Sequence, residues 1–129
     1  MTSEPSFIAA SVDYQRDGKQ YGHLLVPHSR NESAWGTLMI PIVCIRGGDG
    51  PTMLLTGGNH GDEYEAPLAI LKLARRLRAE DLRGRLIAMP ALNLPAMRAD
   101  QRLSPIDGAN MNRAFPGHAR GSITQRIAH

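Results

Sequence analysis

Between positions 66 and 78, apolar residues fall at Ala66, Ala69, Ile70, Leu73, Ala74 and Leu77, a spacing of three and four that gathers them on one side of a helix. Pro67 suits the first turn of that helix, and Arg75, Arg76 and Arg78 suit its last, where cations meet unpaired carbonyls. Short apolar runs stand on either side. TMLLTGG before the helix and RLIAMPALN after it have the pattern of buried strands. Strand, helix, strand with a crossover of this length is the unit of an α/β sheet.

Upstream, the stretches SFIAASVDY and YGHLLVP enclose the turn-prone QRDGKQ and predict a β-hairpin. His23 and His28 fall here and suit a surface or edge-strand position. A polar loop, HSRNESAWG, follows, with Trp35 expected to anchor it on the core, and then TLMIPIVCIRG predicts a strand whose Pro41 implies an edge or a bulge. GGDGP makes a tight turn into TMLLTGG. Beyond RLIAMPALN, about 28 residues from Leu94 onward have the composition of a loop, a length that in a compact domain usually serves function. The closing SITQRIAH begins a helix that Ser122 or Thr124 can cap. The expected organisation is an N-terminal hairpin and loop over residues 1–35, followed by an α/β unit over residues 36–129.

Length and composition narrow the class without changing this outline. A chain of 129 residues can bury one sizeable core but not two ordinary domains. Fifteen Lys and Arg against twelve Asp and Glu leave a formal charge of +3, and the basic residues are scattered apart from the arginines at the helix end, which argues against a nucleic-acid surface. Cys44 is the single cysteine and lies in an apolar run, so the expectation is a small core residue in a reducing compartment. The chain starts without a basic and apolar leader, and no apolar run approaches membrane-spanning length; a cytoplasmic protein is expected.

Candidate chemistry begins where the TMLLTGG strand hands over to the helix, the end of a strand at which open α/β sheets bind ligands. His60 and Glu63 stand there, three residues apart among Gly57, Gly58 and Gly61, in GGNHGDEYE. Imidazole and carboxylate are both good zinc ligands, and the glycines allow the backbone to bend and approach closely. A cap or a surface pair is the plainer alternative. In SPIDGANMNRAFPG, Asn112 and Arg113 can hold a carboxylate, since the guanidinium offers a planar fork and the amide a neutral donor. There the plainer alternative has Asn112 bracing the turn and Arg113 pairing with a structural acid.

Taken in order, GGNHGDEYE and NMNRAFPG resemble the succinylglutamate desuccinylase and aspartoacylase family of zinc-dependent amide hydrolases, related to the zinc carboxypeptidases. The resemblance covers most of the chain, and SAWGTLMIPI, TGGNHGDEYEAP, PALNLPA and SPIDGANMNRAFPG are most similar to the branch of N-acetyl-L-2,4-diaminobutyrate deacetylases of ectoine breakdown. It implies a zinc-carboxypeptidase-like mixed sheet with flanking helices, preceded by the hairpin and truncated after its N-terminal half. It also implies zinc held by His60 and Glu63, a substrate carboxylate bound by Asn112 and Arg113, and Arg102 polarising the scissile carbonyl. The substrate class is a small N-acyl amino acid. Asn110 and Met111 stand where the family commonly has Asp-Leu, and Asp62 replaces a common asparagine beside the ligands.

A catalytic zinc normally keeps three protein ligands and one open position. The family takes its third, a histidine, from a later strand, and its general-base glutamate from further on; neither is expected in this chain, where His118 and His129 do not follow an apolar strand. The expected chain is thus the N-terminal part of a hydrolase, inactive alone, with an open sheet edge that favours marginal stability, a homo-oligomer or dependence on a partner. A zinc carboxypeptidase and a non-catalytic carboxylate-binding remnant are the alternative readings.

Overall fold

The computed structural model describes residues 5–31 and 36–129. Five strands form one mixed sheet: β1 (Ala9–Ala10), β2 (Gly18–Pro27), β3 (Thr37–Gly47), β4 (Thr52–Thr56) and β5 (Gly84–Met89), in the order β1-β2-β3-β5-β4. The expected hairpin is present, with Ala9 opposite Leu25 and Ala10 opposite Leu24 in antiparallel register. The other edge of β2 pairs with β3 over its whole length, from Gly18 opposite Arg46 to Pro27 opposite Thr37, so the hairpin is continuous with the sheet. Between β4 and β5 the pairing is parallel, which requires the crossover that α1 (Glu65–Arg76) supplies. Pro41 stands in the half of β3 that β5 does not reach, so it needs a partner on one side only. Trp35 lies outside the described residues.

Two apolar clusters follow from the alternation along β3. Ile40, Ile42 and Cys44 face one side, with Val26, Met89, Leu92, Met111 and Ile127. Val43 and Ile45 face the other, with Leu86, Ala88 and, from α1, Ile70 and Ala74. Cys44 is a free, fully buried thiol, as expected of a small core residue. Lys19 ties β2 to α1 by donating from Nζ to the Ala74 carbonyl at 2.6 Å, a cation at the end of a helix where the carbonyls lack partners.

Three expectations need correction. TMLLT is a strand but not a buried one: β4 is the sheet edge, and Met53 and Leu54 are 61% and 57% exposed because no described element lies beyond it. Of the apolar face expected on α1 only Ile70 and Ala74 are buried, with Leu77 beyond its end partly so, while Ala66, Ala69 and Leu73 are exposed, since the helix covers the sheet along a narrower stripe than that face spans. The supposed loop after β5 contains α2 (Leu94–Arg98) and α3 (Met111–Ala114), each too short to show a periodic pattern. The closing helix α4 (Ile123–Ala128) is capped by Ser122, whose side chain accepts from Gln125 while Gln125 reaches back to the Ser122 amide. Among the described residues no helix is long and apolar enough to cross a membrane.

Candidate metal and carboxylate site

The loop from Gly57 to Glu63 leaves the end of β4 and is fixed by backbone before any charged group acts. Gly57 donates to the Met89 carbonyl and its own carbonyl accepts from Leu92, both at 2.9 Å, and the Gly58 carbonyl accepts from Asn93 at 3.1 Å. Gly58 has φ +68°, where an L side chain would be strained. At Gly61 a Cβ would come within 2.1 Å of the Ala96 backbone, so only glycine lets this loop lie against α2. Asn93, fully buried, completes the clamp: its Nδ2 donates to the Asn59 carbonyl at 3.2 Å, and its Oδ1 caps α2 by accepting from Ala96.

This frame holds His60 nearly out of solvent, 4% exposed, with Glu63 at the rim. His60 Nδ1 is 3.0 Å from Glu63 Oε1, and His60 Nε2 is 3.1 Å from Asn110 Oδ1. Asn110 Oδ1 also accepts from the Asn112 backbone amide at 3.0 Å, so the atom facing the ring is an oxygen, and Nε2 is inferred to carry the hydrogen. In a neutral ring Nδ1 then turns its lone pair toward a carboxylate oxygen. A shared proton or a metal ion would join two such atoms at that distance, and the donor set of imidazole and carboxylate suits zinc. Arg102 Nη1 donates to the same Glu63 oxygen at 3.0 Å. With a hydrogen between Nδ1 and Glu63, the bond from His60, opposed by desolvation and reinforced by Arg102, holds the Glu63 carboxyl below the usual carboxylate range.

Asn112 and Arg113 lie on α3, whose start Asn110 caps, and both are exposed. Asn59 Nδ2 donates to Asn112 Oδ1 at 2.9 Å, so the loop after β4 and the start of α3 are joined twice, through His60 with Asn110 and through Asn59 with Asn112. Arg113 makes no ion pair among the described residues. The turn before α3 is anchored to α4 by Asp107, which accepts from the Thr124 amide and hydroxyl, each at 2.8 Å. Burial pushes the Asp107 carboxyl up, but donors from Thr124, Ser122 and Ala109 outweigh it and leave it below its ordinary value.

Of the five residues expected from the sequence, His60, Glu63 and Arg102 are in direct contact, Asn112 is tied to the same loop through Asn59, and Arg113 follows it on α3. Asp62 is exposed. No third His, Cys, Asp or Glu joins His60 and Glu63 in a group able to hold an ion among the described residues, His118 and His129 included. Sequence reasoning missed Asn59, Asn93 and Asn110 as supports; Asn93 alone carried a local signal, as a capping residue followed by Pro95.

The sequence model of the succinylglutamate desuccinylase/aspartoacylase catalytic domain matches residues 49–129, and the chain belongs to that family. Its fold agrees with the zinc-carboxypeptidase-like sheet and flanking helices of solved members. It is 56% identical over 124 residues to the N-alpha-acetyl-L-2,4-diaminobutyric acid deacetylase of Halomonas elongata, covering 96% of this chain and 36% of that protein. The product-bound structure of the ectoine utilization protein EutE (DoeB) from Ruegeria pomeroyi is similar at TM-score 0.93 and 53% identity, over 97% of this chain and 38% of that one. A succinylglutamate desuccinylase/aspartoacylase structure from Rhodobacter sphaeroides matches at TM-score 0.90 and 56% identity, over 96% and 38%. The chain thus spans little more than a third of the length of these relatives.

Proposed function

We propose that this chain is the N-terminal part of a zinc-dependent deacylase that hydrolyses the amide bond of a small N-acyl amino acid, with an Nα-acetylated diaminobutyrate as the leading substrate and ectoine degradation as its setting. The observation that carries this reading is the His60–Glu63 contact in the loop after β4, a loop that two hydrogen bonds, His60 with Asn110 and Asn59 with Asn112, join to the start of the helix bearing Asn112 and Arg113. The deacetylase relative supports the acyl amino-acid class, and the EutE relative supports the ectoine setting.

His60 and Glu63 would hold the ion, with Asn110 keeping the ring in the tautomer that leaves Nδ1 free to ligate. Zinc supplies Lewis acidity there, activating water and polarising the acyl carbonyl. Arg113 and Asn112 would grip the amino-acid carboxylate, so that the amide carbonyl is held in place for attack. Arg102, already within reach of Glu63, would donate to the carbonyl oxygen as negative charge builds on it. The third ligand and the general base would come from polypeptide outside this chain. A second reading, carboxylate binding without turnover by this chain alone, is favoured by its two-ligand set.

An exchange experiment tests the proposal. Residues 1–129 replace the corresponding segment of the Halomonas elongata deacetylase, and the chimera is assayed on Nα-acetyl-L-2,4-diaminobutyrate and on short peptides. Zinc-dependent deacetylation, lost in His60→Ala and weakened in Arg113→Ala, is the expected result. A folded chimera that cleaves peptides in preference would move the reading to a carboxypeptidase.

A further inference from the structure

We infer that Asn59 is a positioning residue for substrate binding: it fixes the amide of Asn112 so that the NH2 group, not the carbonyl, faces the substrate carboxylate. The inference rests on the reading of Asn112 and Arg113 as a carboxylate site and adds a residue to it. A carboxylate can only accept hydrogen bonds. An asparagine amide presents a donor at one end and an acceptor at the other, and a freely turning Asn112 would spend part of its time repelling the ligand.

Asn59 removes that freedom. Its Nδ2 donates to Asn112 Oδ1 at 2.9 Å, which occupies the acceptor and leaves the NH2 of the exposed Asn112 as the end free for a ligand. The orientation of Asn59 itself follows from its surroundings, because its Oδ1 is buried and has no partner among the described residues. Turning the amide over would bury an NH2 in that spot with two unmatched hydrogens in place of one under-used oxygen, the costlier arrangement. Asn93 steadies the segment from behind by donating to the Asn59 carbonyl. The residue that precedes His60 thereby sets the polarity of a group on α3.

The test is a double-mutant cycle on the dissociation constant of Nα-acetyl-L-2,4-diaminobutyrate, followed by NMR of the whole chain, whose spectrum also shows that each variant is folded. Asn59→Ala should weaken binding about 3- to 10-fold, the range of one hydrogen bond. Asn59→Asp should weaken it further, since a carboxylate at position 59 draws the Asn112 NH2 inward and turns its carbonyl out; it also keeps the test open if Asn59→Ala unfolds. In an Asn112→Ala background the Asn59→Ala loss should fall below about twofold, because the partner through which it acts is gone. Equal losses in both backgrounds would overturn the inference. Arg113→Ala is the control for the underlying site: if it leaves binding unchanged, or if the chain binds no ligand, the carboxylate reading fails and the inference falls with it. Loss in Arg113→Ala with additive Asn59 and Asn112 effects defeats the inference alone.

Discussion

Strands β3 and β4 are both runs of apolar residues, yet Ile40, Ile42 and Ile45 of β3 are all but fully buried while Met53 and Leu54 of β4 are more than half exposed. The difference lies in their neighbours. β3 has β2 on one side, β5 along part of the other, α1 over one face and the segment from Leu92 to Ile127 over the opposite one. β4 has β5 on one side, and its outer edge has no partner among the described residues. An apolar run states what a strand can bury, whereas the number of layers around it decides what it does bury. The site stands at the junction of these regions, since the loop carrying His60 leaves the open strand and is clamped by the segment that covers the closed one.

The contrast is sharpest in stability. Ile40→Ala should destabilise the chain by about 2–5 kcal/mol, the cost of an unfilled space in a packed core, as read from urea unfolding. Asn93→Ala comes next, at about 1–3 kcal/mol, because it strands the Asn59 carbonyl and uncaps α2. A loss confined to local loop exchange, with global unfolding unchanged, would show that the clamp does not belong to the covered region.

Asp107→Asn should cost about 0.5–2 kcal/mol through the weakened tie to α4. Its pH dependence has a definite sign. The folded carboxyl lies below its unfolded value, so its contribution is complete above the ordinary carboxylate pKa of about 4 and is lost as pH falls through the lowered one. The stability gap between wild type and Asp107→Asn should therefore close on acidification; a gap that widens would contradict the assignment. Smallest of all, Leu54→Ala should change stability by less than about 0.5 kcal/mol if the edge of β4 is open in solution. A cost approaching that of Ile40→Ala, dependent on protein concentration, would mean that another chain covers it.

Much of this was legible in the chain. The helical face around Ile70 and Ala74, the strand at RLIAM and the Ser122 cap follow from local periodicity and capping chemistry, which act over a few residues. The exposure of Met53 and Leu54 did not follow, because burial of an edge depends on what else packs there. His60, Glu63, Asn112 and Arg113 stood out as candidates because charged and ligating groups in glycine-rich turns form spacings that resemble the family's. Asn59, Asn93 and Asn110 were not, since a neutral amide becomes a support only through the partner the fold brings to it.

The central claim is that His60 and Glu63 form a two-ligand metal half-site. The most direct measurement is zinc titration of the chain, followed through the His60 ring resonances by NMR, with metal content determined after dialysis and with His60→Ala and Glu63→Ala alongside. The account predicts zinc binding that perturbs His60, is lost in either variant and does not survive dialysis. Binding that persists in His60→Ala would contradict the assignment of the ligands, and one zinc per chain retained through dialysis would contradict the half-site by requiring a third ligand already in place.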